Sequence, residues 1–173
     1  MKKILLLLPL VLCFTAANAT ISIFGSALFN PTDADGNSLS ETLEMNWYAL
    51  TTDVSDAITN GDTSIFETIA NNYVAFATTT PGIVGGGNVV YTANGVGAIT
   101  LGGTGNLAAG DQILITLDDS HLFTSTTWVT PADGGSLTLA PQTTAALSVP
   151  EPSTYALIAG FVAFLFVAIR RRK

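Results

Sequence analysis

Two short stretches carry residue types whose spacing suits chemistry. The first runs from Asp33 to Glu44, DADGNSLSETLE. Counted from Asp33, side-chain oxygens fall at positions 1, 3 and 5, and a glutamate falls at position 12. A hard cation such as calcium takes carboxylate, amide and carbonyl oxygens at that spacing in a helix–loop–helix site. Ser38 stands where the sharp turn of such a loop needs glycine, and Ser40 where an apolar residue is usual. The preceding residues read as a strand ending at Pro31, where such a loop needs a helix. Asp33, Asp35 and Asn37 remain as candidates for a looser calcium site. The competing reading is a solvated Asp/Gly/Asn turn between strands.

The second stretch is Asp118-Asp119-Ser120-His121, two carboxylates beside the chain's one histidine. Adjacent carboxylates on a strand point to opposite faces, so they do not make the facing pair of a glycosidase. Zinc needs partners that one histidine without cysteine does not supply. No serine lies in a G-x-S-x-G context. The glycine runs 85–87 and 102–105 lack the Lys-Ser/Thr of a phosphate loop. Trp47, Tyr48, Tyr91 and Trp128 would offer stacking faces to a sugar if exposed, although burial is the commoner use of such rings. No catalytic constellation emerges, and the chain is expected not to be an enzyme.

These residues are strung between short β segments. Thr20–Asn30 reads as a strand broken at Gly25, and Leu43–Thr51 places Leu43, Met45, Trp47 and Ala49 on one face. Further strands are expected over Val74–Thr80, Val89–Ala93, Gly97–Leu101, Gln112–Leu117, His121–Thr130 and Ser136–Ala140. Asn94-Gly95 suits a hairpin turn. One helix is expected, from Ile65 to Asn72, opened by the capping-box pattern Ser64-Ile65-Phe66-Glu67. About eight short strands at these intervals predict a mainly β body over 20–140, a single β-sandwich or jelly-roll-like domain with one short helix. Residues 141–148 are expected as a small-residue linker.

The formal charge of −7 is unevenly spread. All six Lys and Arg lie at 2–3 and 170–173, whereas twelve of the thirteen acids lie between Thr20 and Val149. The body therefore carries a formal −12 and forms no internal Lys or Arg ion pair. Nucleic acid is excluded as a partner, since its affinity rests on cationic contacts to phosphate. The one cysteine, Cys13, precedes the body, so the body has no disulfide and no thiolate site.

The two ends read as addresses. Met1-Lys2-Lys3, the apolar run Ile4–Phe14 and Ala17-Asn18-Ala19 form a secretory signal peptide over 1–19, with cleavage after Ala19. At the other end Val149-Pro150-Glu151-Pro152-Ser153 is held extended by its prolines. An uncharged run over 153–169 follows, expected as a transmembrane helix of about 25 Å at 1.5 Å per residue. Arg170, Arg171, Arg172 and Lys173 close the chain as a basic stop that stays cytoplasmic.

Motif, helix and basic cluster over 149–173 together resemble the PEP-CTERM sorting signal of exopolysaccharide-producing Gram-negative bacteria. The resemblance implies recognition by an exosortase, processing near Pro150-Glu151-Pro152, and removal of the basic helix. It further implies secretion machinery and membrane as transient partners, exopolysaccharide as a surface partner, and delivery to the cell surface or extracellular matrix. The body is then expected to be structural or adhesive. The alternatives are a carbohydrate- or calcium-binding module of the same fold, and a secreted hydrolase.

Overall fold

A computed structural model describes residues 19–132, 135–149 and 152–170, without the side chains at 152–156, 165 and 167–169. The expected signal segment, Ala19 excepted, lies outside the described residues. The body is mainly β, with open sheets and, among the described residues, twelve strands.

Strands β1 (Thr20–Phe24) and β2 (Ser26–Thr32) are one long strand bent at Gly25. There φ is +96°, and a Cβ would come within 3.1 Å of the Leu139 carbonyl oxygen, so glycine suits both the conformation and the close approach. β6 (Asn88–Thr92) pairs antiparallel with β2, and β7 (Ala98–Thr100) with β1. On the other side β10 (Ser136–Thr138) and β11 (Gln142–Thr144) run parallel to β1 and β2. The short strand β5 (Gly82–Val84) forms the far edge on β6.

A second sheet has the order β12 (Leu147–Ser148), β9 (His121–Val129), β8 (Gln112–Leu117), β3 (Met45–Ala49) and β4 (Ala77–Thr79). Ile21, Ile23, Leu28, Tyr91, Ile99 and Leu139 share one apolar cluster with Met45, Trp47, Ile113, Ile115, Phe123 and Trp128 of this sheet. The opposite face is covered by two helices, α1 (Thr52–Asn60) and α2 (Ile65–Asn72). Val54, Ala57, Ile65, Phe66 and Ile69 pack there on Tyr48, Leu114, Leu122 and Leu147. Burial from both sides explains why β8 reads QILITL, a continuous apolar run instead of an alternating one.

Among the described residues the body has two helices where one was expected. α2 lies where the sequence placed it, but its capping box does not form: Ser64 makes no side-chain cap, and its N–H instead donates to Asp62 Oδ1 at 3.0 Å. α1 follows from Val54, Ala57 and Ile58 at helical spacing, and it is closed by Gly61 and Asp62 N–H groups on the Ile58 and Ala57 carbonyls. Asn94-Gly95 does not close a hairpin; it lies in a 3-10 turn over Ala93–Gly95, because β6 and β7 both pair with the bent strand and not with each other. The linker expected over 141–148 is corrected as well. It contributes β11 and β12, with Ala145 and Leu147 buried. The body thus continues to Val149.

β8 and β9 join through the three residues 118–120, in which Asp118 (φ 47°) and Asp119 (φ 52°) are both left-handed and the Ser120 N–H bonds the Leu117 carbonyl at 3.1 Å. Such a primed turn prefers glycine at its second central residue. Asp119→Gly is expected to stabilise the body by about 0.5–1 kcal/mol, the scale of a relieved left-handed residue less the added chain entropy. Thermal melts should show a midpoint a few degrees higher.

Candidate functional site

The sequence-derived candidates gather where the C-terminal segment leaves the body. β12 lies at the edge of its sheet, with Leu147 opposite Leu122 and Ser148 opposite His121. The Ala146 N–H donates to the Leu122 carbonyl at 2.7 Å, and the Val149 N–H to the Ser120 carbonyl at 2.8 Å. The preceding Ala145 N–H donates to the Thr32 carbonyl at 3.0 Å. Val149, the first residue of the sorting motif, therefore follows directly on a strand and is held to the body by its own N–H. Pro150 and Glu151 lie outside the described residues. Pro152 and Ser153 begin the third helix, α3 (Pro152–Arg170).

The Asp33 loop sits against this exit, where the Ala34 N–H reaches Ser148 Oγ at 3.3 Å. Asp33 Oδ1 accepts the N–H groups of Asp35 at 2.9 Å and Asn37 at 2.7 Å, and Oδ2 accepts the Asn37 side-chain amide at 2.7 Å. The three calcium candidates are therefore brought together, but as an Asx-type turn held by Asp33. A calcium ion would compete with these bonds for the same oxygens. Among the described residues no group of three or more His, Cys, Asp or Glu is placed to hold a metal ion.

The Asn37 amide, with the backbone N–H groups of Asn37, Asp35 and Gly36, outweighs slight desolvation and holds the Asp33 carboxyl below the usual carboxylate range. A depressed folded-state pKa contributes stability above the unfolded value, lost as pH falls through the folded one. Asp33→Asn is therefore expected to melt below the wild type at pH 7, with the gap closing as pH drops below about 4. Melts at pH 7 and pH 3 check this.

The Asp118–His121 stretch lies on the same rim. The Asp118 N–H bonds the Glu44 carbonyl at 3.1 Å, and the two aspartates are exposed at the turn. Ser120 Oγ is 2.8 Å from His121 Nδ1 and 3.4 Å from the Leu117 carbonyl. These are contacts between neighbours in a turn. Burial, then the charges of Asp119 and Glu44, push the Tyr48 hydroxyl up.

The ring candidates for sugar stacking are corrected: Trp47, Trp128, Tyr48 and Tyr91 are all buried in the core. An open cleft of about 360 Å³ lies among Tyr48, Leu50, Thr51, Tyr73, Asn106 and Asp111. Several of its polar groups are occupied internally, Thr51 Oγ1 by the Tyr73 hydroxyl at 2.7 Å and Asp111 by the Ala108 N–H at 2.8 Å.

The sequence reading missed that residues 145–149 are bonded to the body, with Leu147 and Ser148 forming a strand. The signal was present in the alternation of Ala145, Leu147 and Val149 with Ala146 and Ser148. Of the signal-cleavage residues, Ala17 lies outside the described residues. Ala19 packs against the core, and its carbonyl accepts the Leu101 N–H at 2.7 Å. Of the basic cluster, Arg170 ends α3, while Arg171, Arg172 and Lys173 lie outside the described residues. Among the described residues no helix is long and apolar enough to cross a membrane. The span expected over 153–169 is helical throughout, but many of its side chains fall outside the description.

No curated protein and no solved structure matches the chain. Residues 148–173 match the family model of the PEP-CTERM protein-sorting motif, a match that reaches the body only at Ser148 and Val149. The match begins at Ser148, the residue that ends β12. The chain thus carries a PEP-CTERM sorting motif directly behind its last strand, and the motif supports exosortase-dependent sorting of an exported protein.

Proposed function

We propose that the protein is an exported structural or adhesive component of the cell surface or extracellular matrix, delivered there by processing of its C-terminal motif. The observation that carries this reading is the sorting motif at 148–173, following without a spacer on a folded acidic body. α3 supports a transient membrane anchor. Leu157, Ile158, Phe161, Val162, Phe164 and Phe166 are all at least half exposed, and they spread around the helix instead of forming one stripe. A helix apolar on several sides suits lipid. The −12 body suits solubility and repels anionic surfaces. The buried aromatics and the internally bonded Asp33 loop support a body without a sugar platform or built calcium site, and exopolysaccharide would then be met through the polar surface.

The test is a chain truncated after Val149, followed by fractionation of the native host. Export without surface retention is the expected result. Surface retention equal to that of the full chain would remove the sorting role from the tail.

A further inference from the structure

The sorting motif is not presented on a free leash. Residues 145–149 are stitched to the body by the Ala145, Ala146 and Val149 N–H groups and by the Ser148 hydroxyl. Leu147 is 7 % exposed and packs in the cluster beneath the helices. The sequence leaves two residues, Pro150 and Glu151, between Val149 and the first residue of α3. Fully extended, the path from Val149 to Pro152 reaches about 11 Å at most. A transpeptidase or protease acts on a backbone whose N–H and C=O groups it can bind on both sides of the scissile bond. Here the backbone before Pro150 is already committed to β9 and to the β1–β2 strand.

Resting on the sorting reading above, we infer that β12 is a positioning strap for the processing reaction. Its release from β9 exposes the residues preceding the motif, and the processing enzyme acts on the released form. An edge strand held by two ladder pairs is the kind of element that opens locally without global unfolding. Its grip on Ser120, His121 and Leu122 then sets how often the substrate is available. The Asp33 loop contributes through its Ala34 bond to Ser148. The specificity-determining residues of this chain thus extend upstream of the motif to Leu147, Ser148 and their partners.

The test is a reversible lock in the full chain. Directly opposed Cα atoms in an antiparallel pair lie about 4.5–5.5 Å apart, within the range a disulfide spans. His121→Cys with Ser148→Cys would tie β12 to β9, in a Cys13→Ser background that removes the natural cysteine. Val84→Cys with Asn88→Cys, opposed on the β5–β6 pair, is the distant control. Tail removal is followed in host membranes with and without reductant.

The oxidised strap variant is expected to melt no lower than its reduced form, yet to lose its tail at least 10-fold more slowly. Reduction should restore the rate, and the control should be unaffected. Loss of folding cannot produce that combination. Leu147→Ala, which weakens the strap without a cross-link, is expected to be processed faster than wild type. Wild-type rates in both the oxidised lock and Leu147→Ala would overturn the inference. A wild-type chain that keeps its tail in the same membranes would instead remove the sorting reading, and the inference with it.

Discussion

Trp47→Ala is expected to cost the body about 4 kcal/mol, a large share of the stability of a domain that has about 5–15 kcal/mol in total. Trp47 is fully buried in the cluster shared by the two sheets, with its ring 6.4 Å from that of Phe76. Its indole N–H donates to Thr79 Oγ1 at 3.0 Å, and Thr79 is itself buried on the edge strand β4. Alanine removes the ring that fills the space between the sheets and leaves the Thr79 hydroxyl without its donor. An orphaned buried hydroxyl adds about 1–3 kcal/mol to the cavity term. Guanidinium unfolding of Trp47→Phe, Thr79→Val and the double variant separates the two contributions. The double variant is expected to cost about 1 kcal/mol less than the sum of the singles, because it removes both partners of one hydrogen bond. Strict additivity would mean that the bond contributes nothing and that only ring volume matters.

Gly105→Ala is the second large effect, at about 3 kcal/mol, and it acts through the backbone. Gly105 has φ +76°, and a Cβ there would lie 2.7 Å from the Val74 carbonyl oxygen, 2.8 Å from the Phe76 nitrogen and 2.9 Å from the Phe76 Cβ. The left-handed conformation costs an alanine about 1–2 kcal/mol, and forcing the loop off the segment between α2 and β4 a further 1–3 kcal/mol. The loop lines the cleft beside Tyr73 and Asp111, so the change should also open that cleft. Gly102→Ala is the internal control: φ is +70°, but nothing lies within 4 Å of its added Cβ. It should cost only the conformational part, about 1 kcal/mol. Equal losses at the two positions would show that conformation alone decides, without the close approach to Val74 and Phe76.

The legible and illegible parts of the fold divide along physical lines. Gln112–Leu117 was plain because a strand buried on both faces is apolar throughout and bounded by polar turns. The break at Gly25 and the helix from Ile65 were equally plain. α1 was hidden by its composition, since TDVSDAITN offers only Val54, Ala57 and Ile58 as an apolar face among polar residues. The edge strands β5 and β11 were hidden by length, being three residues each, too short for a period to show. The Asp33 spacing offered a calcium loop or a turn between strands. It did not reveal that Asp33 would spend its oxygens on the N–H groups of Asp35 and Asn37 and on the Asn37 amide, because that depends on the turn and not on residue spacing. The Asn94-Gly95 pair misled because the chain there passes a bend in its neighbour, which local turn chemistry does not encode. The sorting motif was legible because an enzyme must read it as sequence. The strap beneath it was not, because it exists only once β9 is beside it.

On the proposed function, a folded, acidic body is exported and released from its own C-terminal helix by processing at the motif. The intact mass of the mature protein tests this most directly, measured from the native host with membrane, surface and medium fractions kept apart. The expected species begins at Thr20, ends close to Pro150–Pro152, and is found in the surface or medium fraction. Added mass at its C-terminal end would identify a covalent attachment made in the same step. A chain that still ends at Lys173 and stays in the membrane fraction would contradict the account, leaving the last helix as a plain anchor.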